Sequence, residues 1–158
     1  MGNATIHDGD LVVGVNRAAT SVTCNVWVAA DSPLIEREAE NVKGSPLLVT
    51  SPNSIDVLRD HKFTWRGKVF DETKMFGFAP HPLNYVTFSS TIALVYCGFV
   101  GATEVDVYGA DWSGTADFDG KVAGLNRSAD RWKLEREIWG NVIVPYLSER
   151  GITVTRHV

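Results

Sequence analysis

The chain has 158 residues, of which 44% are hydrophobic and 22% charged, with a formal net charge of −4. That length suits one domain able to bury roughly 70% of its unfolded surface, and that balance excludes a disordered chain. The mild negative charge provides no clustered basic face, so nucleic acid is not an expected partner. The two cysteines, Cys24 and Cys97, both sit in apolar runs and imply neither a disulfide framework nor a zinc site. The opening MGNATIHDGD lacks a basic and then apolar leader pattern. The longest apolar stretch, 92–100, falls short of the roughly 20 residues that span a bilayer. A cytoplasmic protein without membrane contact is the expectation.

In chain order, the valine-rich DLVVGV at 10–15 reads as a strand buried on both faces of a parallel sheet, and NVWVAA at 25–30 as a second. Eight residues, Asn16 to Thr23, link them, whereas a helical crossover takes about a dozen or more. Either a tight helical turn bridges the two runs or they are not sheet neighbours. Ser32-Pro33 opens a helix with proline at its first position, continuing over 34–42 and stopping at Gly44. Leu47 to Thr50 reads as a third strand. Ser51-Pro52-Asn53-Ser54 then supplies a turn and an N-cap for a helix over 55–61. The stretch 62–82 has no clean period; its aromatics Phe63, Trp65, Phe70, Phe76 and Phe78 suggest a packed excursion or lid, with a short hairpin as one form.

Ser89-Ser90-Thr91 opens the run 92–100, apolar all round and hence a buried helix, with Gly98 and Gly101 permitting close packing and a stop. Glu104 to Tyr108 is a strand ending at Gly109-Ala110-Asp111-Trp112. After a polar loop at 113–126, an amphipathic helix is expected over 127–150. Trp132, Ile138, Trp139, Val142, Ile143 and Tyr146 lie on one side of it, with Glu135, Arg136, Glu137 and Glu149 mostly on the other. Pro145 bends or shortens this helix, Gly151 caps it, and 152–156 form a last strand. Strands separated by helices predict an α/β fold. The expected form is one Rossmann-like, three-layer domain over 1–158 with a mostly parallel central sheet.

In such sheets ligands bind outside the carboxyl ends of the strands. The residues there are Asn16 and Arg17 after the first strand, Asp31 after the second, and Ser51 and Asn53 after the third. Asp111 and Trp112 follow the strand at 104–108. Ser89, Ser90 and Thr91 begin the buried helix, where free N–H groups and the dipole favour an anion, although serine and threonine at helix starts are also ordinary caps. Asp31 before Ser-Pro is equally a turn former, whereas an amide ending a buried strand, as at Asn16, needs partners. Asp117-Phe118-Asp119-Gly120 has a D-x-D pattern able to hold a divalent ion against a diphosphate. Asp-Gly is also a turn dipeptide, and no metal site is assigned. His7, His61, His81 and His157 have no spacing partner, and there is no P-loop, dinucleotide fingerprint or hydrolase elbow.

The segments DLVVGVNRAA, TSVTCNVWVAAD, FSSTIALVYCGFVGATEVDVYGADW and SERGITV resemble, in this order, the single-domain bacterial sialyltransferases. They are similar too to a related domain of 6-hydroxymethylpterin pyrophosphokinase-like proteins and of uncharacterised, often phage-encoded, chains. By that resemblance Asn16 matches a strand-end asparagine that contacts the donor nucleotide or sugar. Ser89 and Ser90 match a turn at the donor pocket, and Asp111 matches a strand-end aspartate, here the implied catalytic residue. Two departures stand out. Of the family's first strand and nucleotide loop only Gly2-Asn3-Ala4-Thr5 remains, and the stretch GLNRSADRW has Leu125 nearest the position of the catalytic histidine. A base for transfer would then have to be Asp111 or Asp130. The resemblance implies a transferase acting on a nucleotide-linked donor, glycosyltransferase-like, with a nucleotide or nucleotide sugar as partner and no cofactor. The alternative is a catalytically reduced nucleotide-binding or phage accessory protein without turnover. A homo-oligomer stays open, with Trp65 and Trp112 as candidate interface anchors.

Overall fold

Valine-rich runs too apolar for a one-sided sheet pair side by side in the computed structural model, which describes residues 4–80, 88–110, 112 and 129–157. Strands β1 (Val13–Val15), β2 (Val26–Val28), β3 (Leu47–Thr50) and β4 (Val69–Asp71) form a parallel sheet in the order β1-β2-β3-β4. Strands β5 (Glu104–Tyr108) and β6 (Thr153–His157) form a second parallel ladder, with Tyr108 opposite His157. The helices are α1 (Ser32–Glu38), α2 (Pro52–Asp60), α3 (Ser89–Phe99), α4 (Ala129–Ile138) and α5 (Val144–Glu149). Residues 4–12 form no strand.

Strand alternation divides the interior into two layers. Trp27, Ala29 and Leu48 pack with Leu34 and Ile35 of α1 and Leu58 of α2. Val26, Val28 and Val49 pack with Ile92 and Val95 of α3 and with Leu147 of α5. Helices therefore cover both faces, and the Rossmann-like α/β architecture read from the sequence is the one found. Each such side chain, fully buried, contributes roughly 1.5–3 kcal/mol.

The short link between β1 and β2 is a tight turn between true neighbours, Val13 standing beside Val26. Residues Asn16–Thr20 form a 3-10 helix. It lies so close on β1 that a Cβ at Gly14 would sit 3.0 Å from the Ala19 Cβ and 3.1 Å from the Cys24 Sγ. Within 62–80, where the sequence suggests a packed excursion or lid with a hairpin as one form, a fourth parallel strand pairs Val49 with Phe70 and passes into a 3-10 turn, Glu72–Met75. This edge strand has three residues, and Val69 is 45% exposed, so it leaves no apolar run in the sequence.

Helix α3 returns from the β4 side to pack on β2 and β1. Gly98 makes its close approach to α5 possible: a Cβ there would lie 2.8 Å from the Leu147 Cδ2. The expected long helix is interrupted rather than bent. Between α4 and α5 the residues Trp139–Ile143 form a π turn, ending two residues before Pro145, whose missing N–H and ring cannot fit an unbroken α ladder. No helix among the described residues is long and apolar enough to cross a membrane.

Candidate functional site

Helix α3 packs on β2 and β1, and its first turn reaches the end of β2 through Ser89; open α/β folds place ligands outside such carboxyl strand ends. Asn16 leaves β1 with φ of 51°, a left-handed conformation that asparagine tolerates better than most residues. Its carbonyl accepts a hydrogen bond from Trp27 Nε1 at 2.9 Å, and Trp27 is fully buried. The sheet core thus fixes the residue, while Asn16 Oδ1 is buried with no hydrogen-bond partner among the described residues.

Serines clamp the exit of β2. The Ala30 N–H donates to Ser89 Oγ at 3.0 Å, and the Ala30 carbonyl accepts from Ser51 Oγ at 3.3 Å and from Ser54 Oγ. This clamp fixes the next residue, Asp31, which stands at the N-cap of α1 yet makes no side-chain cap bond. Ser51 does cap α2, accepting from the Ser54 N–H at 3.2 Å. Thr91 closes the first turn of α3, donating to the Phe88 carbonyl at 2.8 Å and accepting from its N–H at 3.2 Å. Ser51, Ser89 and Thr91 are therefore structural fixtures around the site. Asn53 is exposed on α2, and Arg17 turns toward α1, its Nε 3.3 Å from Glu38 Oε1.

Asn16, Asp31 and Ser90, from three separate elements, meet on one cavity of about 80 Å³ that Leu34, Arg131, Trp132 and Glu135 complete. The Ser90 hydroxyl donates to Glu135 and accepts from Trp139 Nε1 at 3.2 Å. Trp139 heads the π turn and packs edge-on against Trp112 at 5.1 Å. Trp112, at φ of 51° and beneath the Arg156 guanidinium, thus reaches the cavity only through Trp139 and Ser90. Asp111, His81, Asp117, Asp119 and Leu125 lie outside the described residues.

Glu135 corrects one expectation: it is buried, 7% exposed, where the helical pattern put it mostly outward. Its carboxylate stands at the first turn of α3, the place at which the dipole favours an anion. Arg131, Trp132 and Glu135 were not sequence candidates. Their one signal is that Arg131 and Glu135 are four apart and so share a helix face, a spacing equally common on solvated faces.

No protein-family model matches the chain, and no match is found among curated proteins or solved structures.

Two further buried acceptors without partners among the described residues, Thr50 Oγ1 and Glu72 Oε2, lie at the ends of β3 and β4. Burial, and secondarily the Asp71 charge, pushes the Glu72 carboxyl up to about 7. Burial pushes the Cys97 thiol up to about 11 and raises that of Cys24, which leaves both protonated and poor nucleophiles at neutral pH. Among the described residues no group of three or more His, Cys, Asp or Glu could hold a metal. His61 pairs with Glu36 and His157 with Asp106 at the surface, away from the cavity. A wider hollow of about 390 Å³ opens between α2 and β4 around Leu58, Phe63, Trp65 and Val69. Arg59, Lys62 and Thr64 also line it, but no carboxylate or amide side chain does; carboxylate and amide acceptors and a cation meet only on the smaller of the two cavities.

Proposed function

We propose that the protein is a glycosyltransferase-like transferase that binds a nucleotide-linked donor at the carboxyl ends of β1 and β2. One observation carries this reading: Asn16, Asp31 and Ser90, from three separate elements, converge on a single cavity beside the carboxyl ends of β1 and β2. Asn16 and Asp31 offer hydrogen-bond acceptors to the donor, Arg131 offers a cation, and Trp132 an apolar wall. The transfer needs a base to take the acceptor's proton, a role assigned to Asp111. Calorimetry and saturation-transfer NMR against nucleotides and nucleotide sugars test the binding, and product release tests the transfer. Turnover abolished by Asp111→Ala is the expected result. Absence of binding across the panel would remove the reading.

A second reading, binding without turnover, is favoured by the lining itself, in which no histidine stands among the described residues and the Ser90 hydroxyl is already engaged by Glu135. Tight binding with no product under any acceptor would select it.

A further inference from the structure

Resting on the nucleotide reading above, we infer that the cavity beside Asn16 and Asp31 receives the vicinal diol of a ribose, with the phosphates outside it. The first argument is size. At about 80 Å³ the cavity is of a size for a fragment of a ligand. Whole drug-sized ligands need about 300 Å³ or more. A ring edge bearing two hydroxyls fits; a whole nucleotide does not.

The second argument is hydrogen-bond complementarity. Asn16 Oδ1 is a buried acceptor without a donor among the described residues, and leaving such a group unmatched is unfavourable. The Asp31 carboxylate, also an acceptor, makes no cap bond to α1 and is set in place through the clamped Ala30 peptide. An ionised phosphate oxygen has no proton to give either group, whereas a diol has two. The third argument is charge. Glu135, hydrogen-bonded to Ser90, already places a carboxylate at the N-terminal turn of α3, so a phosphate there would meet a like charge. Asp31 also stands after the second strand, beside the first, the place from which an acidic residue in a doubly wound sheet hydrogen-bonds ribose hydroxyls. Leu34 and Trp132 supply apolar walls for the ring carbons.

Calorimetry on the full chain tests this, with the four ribonucleoside 5′-monophosphates, their 2′,3′-dideoxy counterparts and inorganic phosphate as probes. The ribonucleotide is expected to bind about tenfold or more tightly than its dideoxy form. Asp31→Ala and Asn16→Gly should each bring that ratio toward one while leaving dideoxy binding unchanged. Glycine adopts the left-handed φ of Asn16 freely, and Asp31 caps nothing, so both variants retain the fold, as thermal melts check; should Asn16→Gly unfold, Asp31→Ala decides alone. Equal ribo and dideoxy affinities in the parent would overturn the diol assignment and leave nucleotide binding standing. Inorganic phosphate displaced by Asp31→Ala would overturn it as well. No binding of any nucleotide would remove both readings.

Discussion

The two ends of the four-stranded sheet differ in how completely their buried polar groups are matched. At the amino end they are matched: the Val12 N–H meets Asn25 Oδ1 at 2.8 Å, and Trp65 Nε1 meets the Pro46 carbonyl at 2.9 Å. The Arg66 guanidinium spans the Gly44 carbonyl at 2.6 Å, the Ala39 carbonyl at 2.8 Å and that of Val42, holding the exit of α1 against the entry to β4. At the carboxyl end Asn16 Oδ1, Thr50 Oγ1 and Glu72 Oε2 are buried without partners among the described residues. The difference teaches that one end is built for rigidity, while the other gives up stability to keep hydrogen-bonding capacity in reserve.

The contrast can be broken from its strongest point. Trp65 is 7% exposed and packs on Trp27 at 5.2 Å, so Trp65→Ala should cost about 3–5 kcal/mol in chemical denaturation. A loss below about 1 kcal/mol would show that the amino end is not the anchor. At the other end the sign should reverse. The folded state holds the Glu72 proton up to about 7, against an ordinary value of 4.5. Stability from this group is complete below about 4.5 and lost as pH rises through about 7. Glu72→Gln should therefore match the parent at pH 4 and exceed it at pH 8 by up to about 3 kcal/mol, read from denaturation midpoints at both pH values. A variant less stable at pH 8 would mean that the carboxylate has a compensating partner.

The smallest expected effect compares two N-caps on one rim. Ser51→Ala removes a working cap and should cost about 1 kcal/mol. Asp31→Ala removes a side chain that caps nothing and should shift the melting midpoint far less. Equal losses would return Asp31 to a structural role.

Much of this was legible in the sequence, for physical reasons that also explain the failures. β2 and β3 are valine- and leucine-rich because both faces are covered, and α3 is apolar all round because it lies against the sheet. β4 went unseen since an edge strand needs no such run. The tight β1–β2 link depended on the Gly14–Ala19 approach, which spacing cannot reveal. The strand-end rule singles out Asn16 and Asp31, and the helix-start rule Ser90, without knowing their neighbours; their shared cavity is not legible in spacing. Glu135 was missed because hydropathy cannot tell a carboxylate facing a polar hollow from one facing water.

The π turn at Trp139–Ile143 has a consequence for how the carboxyl-terminal helices are used. An α-helix advances roughly 100° per residue, so one wider turn slips the azimuth of everything beyond it. Before the slip, α4 presents Arg131, Trp132 and Glu135 to the cavity; after it, α5 buries Leu147 against Gly98 of α3. A single rod is thereby keyed to two different surfaces, gripping the interior with one half and facing the cleft with the other.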